Sequence, residues 1–172
     1  MRDTITSFRD EYEYLSNFFE VDVQWDGRIY RNSEAAFQSA KTLNPQIRDS
    51  FTLLDPLSAK RKGRQVMLRP DWEAVKTTIM ETVVRAKFRQ HPDLAKRLVE
   101  TGDAELMEGN DWNDTCWGVD LRTGEGENRL DKILMSLREE LQSAIENKYV
   151  DASFMDDILE AMYQKEMNTE ND

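Results

Sequence analysis

The sequence predicts a mainly α fold of the α+β class, a compact helical domain carrying one small β-hairpin near its N-terminus. Three observations carry this. Proline punctuates the chain at Asn44-Pro45, Asp55-Pro56, Pro70-Asp71 and His91-Pro92, and proline suits a first helical turn, where its missing N–H has no partner to lose. Two long stretches, 72–90 and 127–147, repeat apolar residues at helical spacing. A single period-two stretch, Val21, Val23 and Trp25 alternating with Asp22 and Gln24, runs into Asp26-Gly27, a strong hairpin pair.

Taken in order, residues 5–9 read as a short strand, and the aromatics of Glu11 to Phe19 as core, interrupted by Ser16 and Asn17. Arg28-Ile29-Tyr30 returns from the hairpin turn. A helix then opens at Asn32-Ser33, capped by either side chain, and runs to about Leu43, with Glu34 complementing its positive end. Asn44-Pro45 starts a helix over 45–54, and Asp55-Pro56 another, closed near Gly63. The long helix 72–90 presents Trp72, Val75, Ile79, Val83, Ala86 and Phe88, widened by Met80 and Val84. Pro92 opens a helix that stops at Thr101-Gly102. Residues 103–109 are short and mixed, a strand or a turn of helix, and 110–128 are irregular and rich in Gly, Asn and Asp around Trp112 and Trp117. The last long helix, 127–147, turns Leu130, Ile133, Leu134, Leu137 and Leu141 to one side. The chain divides into a domain over 1–147 and an acidic amphipathic helix or tail over 148–172. Within 151–172 seven acidic residues face one lysine, a net charge of −6, and Phe154, Ile158, Leu159, Met162 and Tyr163 supply an apolar face suited to self-association or a partner.

Composition narrows the chemistry. With 172 residues, 39% hydrophobic and 33% charged, one domain with a sizeable core is expected. A net charge of −11 argues against a broad nucleic-acid surface. No apolar run reaches membrane length and no signal peptide opens the chain, so a cytoplasmic location is expected. One cysteine, Cys116, and one histidine, His91, exclude the familiar zinc patterns and an internal disulfide. An all-carboxylate Mg²⁺ site stays open on counting alone. His91 reads as structural or exposed, and Cys116 as a packing residue.

Glu34, Gln38 and Lys41 stand at i, i+4 and i+7 among the small residues Ala35, Ala36, Ser39 and Ala40. One helix face would hold a carboxylate, an amide and an amine. That is a polar site or an exposed salt-bridged stripe, and spacing alone favours the stripe. Lys60-Arg61-Lys62-Gly63-Arg64 concentrates positive charge in an acidic chain. It suits a phosphate or a solvated helix end, and it lacks the Walker pattern. Asp111, Asp114 and Trp117 place carboxylates beside an indole. A carboxylate can activate water or stabilise an oxocarbenium ion and an indole can stack a base or sugar; the plainer reading is an Asx turn beside a core tryptophan.

Together these pieces resemble the NADAR (YbiA-like) family. The landmarks are Tyr14-Leu15-Ser16-Asn17-Phe18, Asp26-Gly27, Tyr30, Ser33-Glu34, Gln38, Lys41, Ala59-Lys60, Gly63-Arg64, Trp72, Met80, Lys87-Phe88, Leu94, Thr101-Gly102, Glu108, Asp114-x-x-Trp117-Gly118, Gly126-x-Asn128, Ile133-Leu134-Met135 and Arg138, over about residues 8–141. The chain departs from the pattern at Asp131, where the family usually has glycine, in the 110–116 loop, and after about residue 147. The resemblance implies a mainly α fold with a small β element and an N-glycosidase that hydrolyses the C1′–N bond between a 5′-phosphorylated ribose and a base. The substrates it implies are phosphoribosylamino-pyrimidine intermediates of riboflavin synthesis, or ADP-ribose on guanine, as a nucleotide or in nucleic acid. No metal or redox cofactor and no membrane is implied.

On that resemblance, Lys41 would attack C1′ and form a Schiff base, Glu34 would protonate the leaving base or shuttle the lysine's proton, and Asp114 would activate water or hold the sugar. Gln38 would orient a ribose hydroxyl, Trp117 would stack, Lys60 and Arg64 would grip phosphate, and Ser16 and Asn17 would line the pocket. Gly118 and Asn128 fall in matching motifs and join the substrate-binding set. Lys87 is the rival amine. From other classes, the same pocket could bind ADP-ribose or a nucleotide without turnover, or the chain could be an interaction protein acting through its acidic tail.

Overall fold

A computed structural model describes residues 3–111 and 114–147. The acidic amphipathic segment expected over 148–172, and Trp112, lie outside the described residues. The first strand, β1 (Thr4–Ile5), is shorter than the 5–9 expected from sequence. A 3-10 helix over Asp10–Leu15 follows and buries Tyr14 and Leu15. The hairpin forms as predicted from β2 (Glu20–Trp25) and β3 (Arg28–Asn32), with Val23 opposite Tyr30 and Trp25 opposite Arg28. Asp26 and Gly27 both take positive φ, 48° and 74°, the primed turn that suits the right-handed twist of a hairpin.

Helix α1 (Ser33–Ser39) grows directly from β3. The Asn32 side chain accepts from Ala35 N at 2.7 Å and donates to Leu54 O at 2.9 Å. The helix ends a turn before the Leu43 end expected. Lys41 N and Thr42 N bond three residues back, to Gln38 O and Ser39 O, and Lys41 O is taken by Arg69 N at 2.7 Å. Pro45 keeps Asn44 extended, so the helix has no route onward. Helix α2 (Pro45–Asp49) is likewise shorter than 45–54, while Phe51 beyond it is fully buried. Helix α3 (Pro56–Gly63) runs as expected, with Asp55 accepting from Ser58 N.

Helices α4 (Trp72–Gln90) and α5 (Pro92–Glu100) also match the sequence reading. His91 at their junction meets Asp22 O at 2.6 Å and ties it to β2. Two-residue strands follow: β4 (Glu105–Leu106), parallel to β1; β5 (Gly109–Asn110); and β6 (Val119–Asp120), parallel to β5. Helix α6 (Arg129–Asn147) closes the described chain. The core joins Tyr14 of the 3-10 helix, Tyr30 of β3, Phe51 after α2, Met80 and Phe88 of α4, Leu98 of α5, Leu106 of β4, and Leu130 and Leu134 of α6. No described helix is long and apolar enough to cross a membrane.

Candidate active site

A cavity of about 740 Å³ opens between α1, α3, α4 and the 108–117 segment, within the range of small-molecule sites. Local structure delivers each of its polar groups. Glu34 lies in the first turn of α1, and its N–H donates to Asn17 O at 3.1 Å, which locks the 16–17 turn beside it. Gln38, one turn on, donates its Nε2 to Glu34 Oε1 at 2.8 Å. Both side chains are buried, so the exposed-stripe reading of this face does not hold.

Lys41 stands beyond the helix end, on the following turn, but still faces the same cavity, 5.8 Å from the Trp72 ring centroid. Burial pushes the Glu34 carboxyl up, against Gln38, Lys60 and Lys41, which favour its charge. Burial pushes the Lys41 amine down, helped by Arg64 and Lys60 and opposed by Glu34. The two shifts move a carboxylate–ammonium pair toward its neutral form, an acid beside a free amine.

From α3, Lys60 and Arg64 reach the cavity, one turn apart, with Lys60 5.6 Å from the Phe18 ring centroid. Gly63 lies between them, close against Gln38. From α4, Trp72, Lys76 and Met80 line the wall at helical spacing. Asp114 Oδ1 accepts from Trp117 N at 2.9 Å and Cys116 N at 3.2 Å, so the Asx turn is real. Asn110, buried behind it, holds the loop by bonds to Asp114 N, Asp114 O and Val119 O. Trp117 packs edge-on against Phe37 at 5.3 Å, and both line the cavity. The turn and the cavity-lining roles are therefore compatible.

The NADAR domain model matches residues 5–142. The chain belongs to the NADAR family. It is 40% identical over 147 residues to the N-glycosidase YbiA of Escherichia coli (strain K12), covering 82% of this chain and 91% of that one. An N-glycosidase of Nostoc punctiforme is 44% identical over 140 residues, 78% of this chain and 88% of that one. A riboflavin biosynthesis protein of Vibrio vulnificus is 35% identical over 136 residues, 77% of this chain but 36% of that longer protein. The NMR structure of E. coli YbiA superposes with a TM-score of 0.74 at 38% identity, covering 87% of this chain and 90% of that one. The protein is an N-glycosidase of the NADAR family, with the helical α+β architecture that the resemblance implied.

The cavity brings together nine of the residues singled out from sequence: Ser16, Asn17, Glu34, Gln38, Lys41, Lys60, Arg64, Asp114 and Trp117. Three lie outside its lining. Lys87 is buried behind the wall, where its Nζ donates to Tyr14 O at 2.5 Å and Ser16 O at 2.9 Å, beneath the rings of Phe19 and Phe88. Burial lowers this amine to about 7. It braces the turn that carries Ser16 and Asn17. Gly118 allows close backbone packing, since a Cβ there would lie 2.4 Å from Glu108 O. Asn128, at φ 51°, leads into α6 and donates to Leu106 O at 3.2 Å.

Sequence reasoning left Glu108, Phe37, Trp72 and Met80 out of the site, although all line the cavity. Trp72 and Met80 share the helical spacing of α4 core residues, so periodicity could not separate wall from core. Glu108 had only its place among the family landmarks to mark it. Cys116 also lines the cavity, and burial pushes its thiol up, away from nucleophilic character.

Proposed function

We propose that this enzyme hydrolyses the C1′–N bond between a 5′-phosphorylated ribose and a base through a covalent adduct on Lys41. The observation that carries the reading is that Lys41 and Glu34 line one cavity, where burial favours the neutral form of both. A neutral amine is the nucleophile a Schiff base requires. Lys60 and Arg64 bind the phosphate end and Trp117 stacks on the sugar or base.

Lys41 Nζ gives its electron pair to C1′ as the C1′–N bond breaks, and the departing nitrogen takes a proton. Glu34 relays one proton from the new secondary ammonium to O4′. The C1′–O4′ bond then opens and leaves a protonated imine on Lys41. Asp114 orients water, which adds to C1′. Collapse of that adduct frees the sugar aldehyde and the amine and releases one proton. Gln38 holds the Glu34 carboxyl in register for the relay.

Two substrate classes fit: ADP-ribose on a guanine base and a phosphoribosylamino-pyrimidine. The relatives named riboflavin biosynthesis proteins favour the second. The deciding assay sets an ADP-ribosylated guanine nucleotide beside a phosphoribosylamino-pyrimidine. Release of ADP-ribose assigns the first class and release of ribose 5-phosphate the second. Silence on both, with ADP-ribose still bound, would overturn this substrate assignment in favour of a binding site.

A further inference from the structure

The scheme above leaves Glu108 without a task. It sits at the corner between β4 and β5, and its side chain lines the cavity alongside Glu34 and Asp114. Its backbone is fixed from two sides. The N–H donates to Asp131 Oδ2 at 2.6 Å, and the carbonyl accepts from Val119 N at 3.1 Å. Gly118 comes so close to that carbonyl that a Cβ there would lie 2.4 Å from it. Asp131, in the first turn of α6, is fully buried, and its Oδ1 has no hydrogen-bond partner among the described residues. A buried carboxyl with one unmet oxygen is costly for a fold to keep. Here its one bond goes to the backbone of a cavity carboxyl.

We propose that Glu108 is a second catalytic carboxyl, the acid that gives its proton to the departing nitrogen, and that Asp131 is the positioning residue that holds it toward the cavity. The proposal rests on the Lys41 reading above. As the C1′–N bond breaks, its electron pair goes to the base nitrogen, which takes the Glu108 proton. Glu108 is left as a carboxylate and recovers the proton released when water hydrolyses the imine.

The surroundings of Glu108 support this task. Burial dominates, Asp114 and Glu34 add to it, and Lys60 and Lys87 oppose it, bringing the carboxyl up to about 7. Asp131, bonded to the Glu108 N–H, is itself pushed up by burial to about 8. An acid that titrates near the working pH is well matched to proton transfer. Lys41 is among the main charges that act on Glu34, while burial, Asp114 and Glu34 lead those that act on Glu108. Two carboxyls thus divide the work, Glu34 serving the amine and Glu108 the leaving base.

The test uses the full chain with Glu108→Gln. Base release is measured on whichever of the two substrates the parent turns over. Separately, ribose 5-phosphate with cyanoborohydride reports imine formation on Lys41 by peptide mapping, a reaction that needs no proton on a leaving base and also reports a folded site. We expect base release to fall at least ~100-fold while trapping stays within about threefold. The alkaline limb near pH 7 in the parent's rate profile should be absent from the residual activity. Asp131→Ala should lower base release about tenfold with trapping kept, and Asp131→Asn, which retains an acceptor for the Glu108 N–H, should restore it. The proposal is overturned by E108Q releasing base at the parent's rate, or by release and trapping falling together. Absence of trapping in the parent would overturn the Lys41 reading beneath it, whatever E108Q does.

Discussion

Gly63→Ala probes the packing that holds the Glu34–Gln38 pair in place. The last turn of α3 approaches α1 so closely that a Cβ at 63 would lie 1.9 Å from Gln38 Oε1, 2.7 Å from its Cδ and 3.0 Å from its Cβ. The amide tip can swing away, but Gln38 Cβ cannot follow a side-chain rotation, and the residue is 5% exposed. Either the amide turns and gives up its 2.8 Å bond to Glu34, or the two helices separate. Loss of the buried bond costs about 1–3 kcal/mol, and overpacking about 1–3 kcal/mol. Alanine's better helix propensity returns about 1 kcal/mol. By either route the net loss is up to about 2 kcal/mol, read by urea unfolding. Base release should drop about tenfold because Glu34 loses its orienting partner. Adding Gln38→Ala removes the obstructing atoms, so the double variant should recover about 1–2 kcal/mol relative to additivity. A G63A protein with the parent's stability and turnover, or strict additivity with Q38A, would refute the packing argument.

Three further outcomes follow from the same geometry. Lys41→Arg keeps a cation near Trp72 but never offers a free amine, so turnover should vanish while ADP-ribose or ribose 5-phosphate affinity, by calorimetry, stays within about tenfold; turnover by K41R would contradict a lysine nucleophile. Asp114→Asn retains an acceptor for Cys116 N and Trp117 N and should unfold within ~0.5 kcal/mol of the parent yet lose activity, whereas Asp114→Ala should also lose about 1 kcal/mol with the Asx turn. Full activity in D114N would reduce Asp114 to a turn former. Asp131 holds its proton to about pH 8 when folded against an ordinary value of 3.8. The folded state therefore binds more protons in that window, and this group's contribution to stability declines as pH rises through it. Asp131→Asn removes the decline, so its stability relative to the parent should rise from pH 5 to pH 8 by up to about 1 kcal/mol per pH unit in urea titrations. A constant difference would contradict a buried, protonated Asp131.

Local rules made the helical frame readable. Asn44-Pro45, Asp55-Pro56 and His91-Pro92 placed helix starts correctly because proline and capping chemistry act within a few residues. Asp26-Gly27 gave the hairpin for the same reason. The end of α1 was not readable from spacing, because Lys41 N and Thr42 N tighten onto carbonyls three residues back while Arg69 N takes Lys41 O across 28 positions of sequence. Lys41 therefore stands beyond the helix that the sequence assigned it to, yet it lines the same cavity as Glu34. Lys87 shows the opposite case. Its Lys-Phe context resembled the family motif, but its amine is spent on the carbonyls of Tyr14 and Ser16, a tertiary contact that spacing cannot reveal. Glu108 became visible only once α6 brought Asp131 against its backbone.

The most direct test of the account is reductive trapping during turnover. The enzyme is incubated with a phosphoribosylated base substrate and borohydride, and the adduct is mapped by peptide mass, with Lys41→Ala and Lys87→Ala alongside. The account predicts a sugar adduct on Lys41, absent in K41A and present in K87A. An adduct on Lys87, or base release in K41A at the parent's rate, would contradict it.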